Sequence, residues 1–185
     1  MSELGYHLSH TDTDLLEVVD AEDRVVGLAT RAEIHARDLW HRAVHVLLWD
    51  GAGRFAMQRR SMAKDRFPGR WDISVGGHVD PGESYLATAL REAREEMGVS
   101  LKPENLRHEG VFSPSLETGW EFIHIFSAQV DPGSLSPDPA EVTAVRWVTP
   151  EEHRARASVD SPDPDWLVAP AGFLSVRHVL DRGPG

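Results

Sequence analysis

The chain contains no cysteine. Disulfides, thiolate metal sites and a cysteine nucleophile are therefore excluded. It also lacks any apolar run approaching the roughly 18 residues that a membrane-spanning helix needs. Its first residues, MSELGYHLSH, do not follow the basic-then-apolar order of a secretory signal. These absences predict a cytoplasmic protein with no membrane partner. A surplus of positive charge is missing as well, since the formal net charge is −11. Broad contact with a nucleic-acid backbone needs a basic surface, which argues against a nucleic-acid polymer as partner. It leaves room for a small anionic substrate, because a local basic cluster suffices for one diphosphate. No internal repeat and no compositional break divides the 185 residues. Hydrophobic residues at 41% and charged residues at 26% are ordinary for a globular chain, and the length favours one domain. We read residues 1–14 as a loose polar tail and 15–185 as a single domain. The oligomeric state is left open.

What the chain does have is the stretch 77–99, GHVDPGESYLATALREAREEMGV. It opens as a Pro/Gly turn and continues as a helix. At about 100° per residue, Glu92, Glu95 and Glu96 fall within roughly 100° of one another. Leu86, Leu90, Ala93 and Met97 gather on a different face, suited to a core. Like charges at this spacing destabilise an isolated helix by a few tenths of a kcal/mol. Two readings follow from the wheel alone. One is a solvated face with Arg91 and Arg94 as counter-ions; the other is a site for a hard divalent cation such as Mg²⁺, which takes oxygen ligands and is shared between carboxylates and substrate phosphates.

The flanking sequence predicts strands alternating with a few helices, as in a mixed sheet between helices. A hairpin is expected from 15–19 and 24–29. A short helix follows over 30–39, with Thr30 and Glu33 at capping-box spacing. The apolar run 42–49 reads as a buried strand, and 54–59 as its hairpin partner across the turn 50–53. A basic loop, 61–70, precedes a strand at 71–75 and the Gly76-Gly77 turn. Further strands are expected at 99–101, 106–113, 121–130 and 142–148, and helices at 150–157 and 170–181. The segments 131–140 and 158–165, rich in Pro and Asp, read as loops able to shape a pocket rim.

The order Gly77, Glu83, Arg91-Glu92, Glu95-Glu96, Gly98, with its gaps, resembles the Nudix box at every fixed position; Ala93 stands where a larger aliphatic is usual. The resemblance implies an α/β/α sandwich with a mixed β-sheet and a Mg²⁺-dependent hydrolase of diphosphates, with Mn²⁺ as a substitute. The likeness reaches roughly from Leu15 to Val148. EIHARDLWHRAVHVLLWD, QRRS and KDRFPGRWDISVGGHVDPGES look like the branch that holds type 1 isopentenyl diphosphate isomerase and its hydrolase cousins. In that isomerase three histidines and two glutamates bind a metal, and a cysteine transfers a proton. His35, His41, His78 and Glu121 stand at matching positions, Gly119 replaces the other glutamate, and Gly76 replaces the cysteine. Alkene isomerisation needs a proton donor and an acceptor within reach of carbon, and glycine offers neither. Isomerase activity is thus a lesser alternative, and a non-catalytic nucleotide sensor is another, since such proteins usually show a degraded box and this one is intact.

The resemblance implies Glu95 and Glu96 as metal ligands, Glu92 as a third ligand or water-orienting base, and the carbonyl of Gly76 as a further ligand. Glu121 is expected as a ligand, a base or an ordinary outward-facing strand residue. His35, His41 and His78 form a candidate second metal site. Gly77, Glu83, Arg91 and Gly98 are given structural roles, with Arg91 pairing to the box carboxylates. Arg59, Arg60, Lys64 and Arg66 make a cationic cluster beside the box, readable as phosphate contact or as solvated surface. Trp71 is assigned to the core, and Phe67, Phe112 and Trp120 are candidate substrate-facing aromatics. Which diphosphate is cleaved is not written in the box.

Overall fold

The computed structural model describes residues 13–64 and 66–182; the tail expected over 1–14 falls outside them except for Thr13 and Asp14. A hairpin of β1 (Leu15–Val19) and β2 (Val25–Thr30) leads into α1 (Arg31–Arg37). The predicted capping box is present. The Thr30 hydroxyl accepts from the Glu33 amide at 3.2 Å, and Glu33 Oε2 accepts from the Thr30 amide at 2.9 Å. Ile34, fully buried, packs α1 beneath the hairpin against Leu16 and Ala29.

The main sheet has seven strands. β3 (His41–Trp49) lies at its centre, parallel to β8 (Glu121–Gln129) on one side. β7 (Arg107–Phe112) runs antiparallel to β8 at the edge. On the other side of β3 lie β6 (Val75–His78) and, splayed away, β4 (Phe55–Arg60) with β5 (Trp71–Asp72) and β9 (Val142–Val148). Successive strand side chains point to opposite faces, and the sheet buries both. One face packs Val44, Val46 and Leu48 against Ala89, Ala93 and Met97 of α2 (Tyr85–Met97). The other packs Ala43, Leu47, Ile123 and Ile125 against Val176, Val179 and Leu180 of α4 (Pro170–Arg182). Together with α3 (Pro150–Arg156), this is the expected mixed sheet between helices.

Four expectations need correction. The 54–59 segment does not zip back along 42–49: β3 and β4 share only the pair Trp49↔Phe55, and β4 runs instead with β9 from Phe55↔Val148 to Arg60↔Val142. Ser74 is the wedge. Its hydroxyl accepts from the Leu48 amide at 2.9 Å and donates to the Ala56 carbonyl, satisfying both strands where they part. The same residue breaks the single strand expected at 71–75 into β5 and β6. Residues 99–101 form no strand, because the Val99 amide is used to close α2: it donates to the Ala93 carbonyl, beside a left-handed Gly98 with φ of 66°. Finally, Leu86 is 37% exposed, and α2 buries Thr88, Ala89, Glu92, Ala93, Glu96 and Met97. The acidic and apolar faces overlap, so the helix carries two of its carboxylates into the protein.

Because α1 is short and marginal by itself, its cap sets how firmly His35 is held. Thr30→Ala should cost about 1 kcal/mol of stability in urea unfolding, and Thr30→Asp should largely restore it.

Candidate active site

Glu92 and Glu96 are 3% and 2% exposed. Position 77 explains how Glu92 fits. A Cβ added to Gly77 would stand 2.1 Å from the Glu92 carboxyl carbon and Oε1, so the carboxylate occupies the space that any side chain at 77 would need. Glu96 Oε2 accepts from the Gly76 amide at 3.0 Å and from Gln58 Nε2 at 2.8 Å. Arg91 binds the acids into a frame. Its guanidinium donates to Glu92 at 2.8 Å, Glu95 at 3.1 Å, Glu83 at 2.9 Å and the His78 carbonyl at 3.1 Å. Burial pulls the Arg91 pKa down, but these carboxylates outweigh it and leave it raised. Glu83 also accepts from the Thr88 hydroxyl at 2.7 Å. Burial and repulsion from Glu96 push Glu92 up to about 8, even against Arg91. A carboxylate pair that resists full ionisation while set in oxygen-donor surroundings fits a divalent cation, whose charge would offset that repulsion.

The second cluster is built by the sheet register. His41 pairs with Glu121 across β3 and β8, and Ala43 pairs with His78 across β3 and β6. His41 Nε2 and His78 Nε2 each lie 3.3 Å from Glu121 Oε1. α1 adds His35, and one ligand atom from each of the four residues falls within 4.8 Å of the others. Burial pushes the Glu121 carboxyl up, but the close approach of His41 and His78 holds it well below the usual range. Burial takes His78 down to about 3. Imidazole nitrogens beside a carboxylate are a donor set suited to a transition ion. Gly119, where the isomerase pattern has its other glutamate, is left-handed at φ 71°, and Arg66 packs against it: a Cβ there would stand 2.9 Å from Nη1.

Both clusters border one cavity of about 510 Å³. Gly76, Glu92, Glu95, Glu96, His78 and Glu121 line it, whereas Glu83 and Arg91 stand behind. Of the basic cluster, Arg60, Lys64 and Arg66 reach it and Arg59 does not. The pairing shifts between Arg59 and Arg60, and Arg59 Nε donates to the Gly69 carbonyl at 3.1 Å. Lys64 bridges Glu141 and Glu96, with Nζ 3.8 Å from Glu96 Oε1; burial lowers its pKa against the pull of Glu96. Phe67 lines the cavity, while Phe112 packs with the core and Trp120 is not among the lining residues. Trp71 is core as expected, with Arg146 stacked 4.4 Å over its ring. The 131–140 loop supplies rim residues Asp138 and Ala140, but 158–165 supplies none; that side is closed by the start of α4. Sequence reasoning missed Gln58, Arg31, Asp72, Glu141 and His45. Gln58 lies in the quoted QRRS run, whereas Arg31, whose Nη1 sits 3.0 Å from His78 Nδ1, reaches the site only through the hairpin's placement of α1.

A family model for the NUDIX domain matches residues 39–174. An uncharacterised Nudix hydrolase of Yersinia pestis is 35% identical over 168 residues, 91% of this chain and 90% of its own length. An isopentenyl-diphosphate Delta-isomerase of Nocardia farcinica is 39% identical over 155 residues, 78% of this chain and 85% of its own. Among solved structures, DR0079 of Deinococcus radiodurans superposes with a TM-score of 0.73 at 32% identity, over 90% of this chain and 99% of that one. The chain belongs to the Nudix hydrolase family. Among the described residues, no helix is long and apolar enough to cross a membrane.

The raised Glu92 pKa makes stability pH-dependent. The unfolded chain releases this proton near 4.5, whereas the folded protein retains it to about 8. Metal-free stability from this group is therefore full below the lower value and declines as pH rises through the upper one. Thermal unfolding should show that decline in the wild type and its loss in Glu92→Gln. Identical profiles for the two proteins would contradict the shift.

Proposed function

We propose that the protein is a Mg²⁺-dependent pyrophosphohydrolase that cleaves the diphosphate linkage of a nucleoside diphosphate derivative or other organic diphosphate, with Mn²⁺ as a substitute ion. The observation that carries this reading is the pairing of two buried carboxylates, Glu92 and Glu96, with the cationic residues Arg60, Lys64 and Arg66 around one cavity. Glu95, Glu96, the Gly76 carbonyl and Glu92 would hold the cation, with Glu121 able to contribute from β8. Bound there, the ion supplies charge neutralisation on the diphosphate oxygens and acidifies water. The chain's own groups do the rest. Arg60, Lys64 and Arg66 bind and orient the phosphates. Arg91 fixes the carboxylates. Glu92, as third ligand or as base, orients the water that adds to phosphorus as the bridging P–O bond breaks. We take residues 15–185 as one domain, acting in the cytoplasm on a small molecule.

The Nocardia relative's name raises isomerisation as an alternative. Gly76 and Gly119 count against it, because they leave no proton-transferring side chain at one position and no carboxylate at the other. The His35, His41, His78 and Glu121 cluster supports a second metal, of transition type, beside the Mg²⁺ site. Dialysis against Zn²⁺ in the presence of excess Mg²⁺, followed by elemental analysis, should find one bound equivalent of zinc that His41→Ala loses. Retention of that equivalent in the variant would rule the cluster out.

Phosphate release should be measured with and without Mg²⁺ over nucleoside di- and triphosphates, nucleotide sugars and prenyl diphosphates. Metal-dependent release from one class is expected, and Glu96→Gln should lower it by at least about 100-fold while leaving thermal unfolding in place. Undiminished turnover in that variant would falsify the assignment of Glu96. Nucleotide binding without turnover across the panel would favour a sensor.

A further inference from the structure

His45 is a buried titratable residue that the hydrolytic scheme leaves unused. It lies in the middle of β3, directly paired with Gly76 of β6. The pleat turns its ring toward α4, on the same sheet face as His41 and Ala43. There Nδ1 meets Ser175 Oγ at 2.7 Å. Ser175 is itself fully buried, a polar residue on a helix face otherwise made of Gly172, Val176, Val179 and Leu180. The opposite edge of the ring lies against Gly76. A Cβ at position 76 would stand 3.2 Å from His45 Cδ2 and 3.4 Å from Nε2. Both residues line the cavity. The imidazole thus forms the wall where position 76 has no side chain, clamped from behind by α4. With Nδ1 turned to Ser175, the Nε2 edge of the ring is the one that faces position 76 and the cavity. Arg60 and Lys64 line the same cavity, and the diphosphate proposed above would take a further donor beside them.

We propose that His45 is a substrate-contacting residue: the Ser175 hydroxyl donates to Nδ1, which fixes the hydrogen on Nε2, and Nε2–H donates to a phosphate oxygen of the bound diphosphate. The assignment rests on the diphosphate reading above. Ser175 is then a positioning residue that sets tautomer and ring angle without touching substrate.

The probe is methylenediphosphonate, a diphosphate that cannot be hydrolysed, titrated with saturating Mg²⁺. Nitrogen-15 spectra of the wild type should show His45 in the Nε2–H form, with that nitrogen shifting as the probe binds. His45→Phe keeps the ring over Gly76 but removes the donor, and should weaken probe binding about tenfold. His45→Gln should recover part of the loss. Ser175→Ala should mix the two tautomers and weaken binding by less. Probe binding that leaves the His45 resonances unmoved and is unaltered by His45→Phe would overturn this role while leaving the diphosphate site standing. A wild-type protein that does not bind the probe would remove both. Should His45→Phe fail to fold, the wild-type spectra decide alone.

Discussion

Two carboxylates are buried on a helix that also has to pack against a sheet, and much of the site is arranged to tolerate that. A buried charge without compensation costs several kcal/mol. Here Arg91 supplies bonds to Glu92, Glu95 and Glu83, and Gln58 and the Gly76 amide supply bonds to Glu96. Gly77 contributes by absence, leaving room for the Glu92 carboxyl. The compensation is incomplete, as the raised Glu92 pKa records. That residual unfavourable charge is what a bound cation would offset, so under the proposed function the feature that burdens the fold would also equip it for chemistry.

The rest of the cavity follows from strand register. β3 is paired in parallel with β8 and antiparallel with β6. This one arrangement sets His41 beside Glu121, brings His78 to the same place, and lays His45 over Gly76. A slip of one residue would turn each of these side chains to the opposite face. Ser74 matters for the same reason. By separating β3 from β4 it frees the edge of β3 for β6, and so lets the glycine strand reach the acid helix.

Local signals were legible where chemistry is local. The Thr30 capping box, the Gly98 helix stop, the box order and the apolar strands at 42–49 and 121–130 all mark themselves in residue type and spacing. The errors arose where one segment's fate depended on another's. The 54–59 strand prefers β9 to its neighbour in sequence, a choice settled by Ser74 from a third segment. The helical wheel separated acids from apolar residues, but a helix beneath a sheet is buried over a broad stripe, and Leu86 lost its place to Glu92 and Glu96. Arg59 and Arg60 are adjacent and chemically alike, yet neighbouring strand residues point to opposite faces, and only Arg60 reaches the cavity.

The sequence by itself determined the family and the acid helix with its clustered carboxylates, because these are written as short-range order with fixed gaps. Tertiary structure alone decided which cations face the cavity, how Arg66 meets Gly119, and that His45 is clamped by Ser175. The physical reason is distance along the chain. His45 and Ser175 are 130 residues apart, and only the packing of α4 on the sheet brings them together.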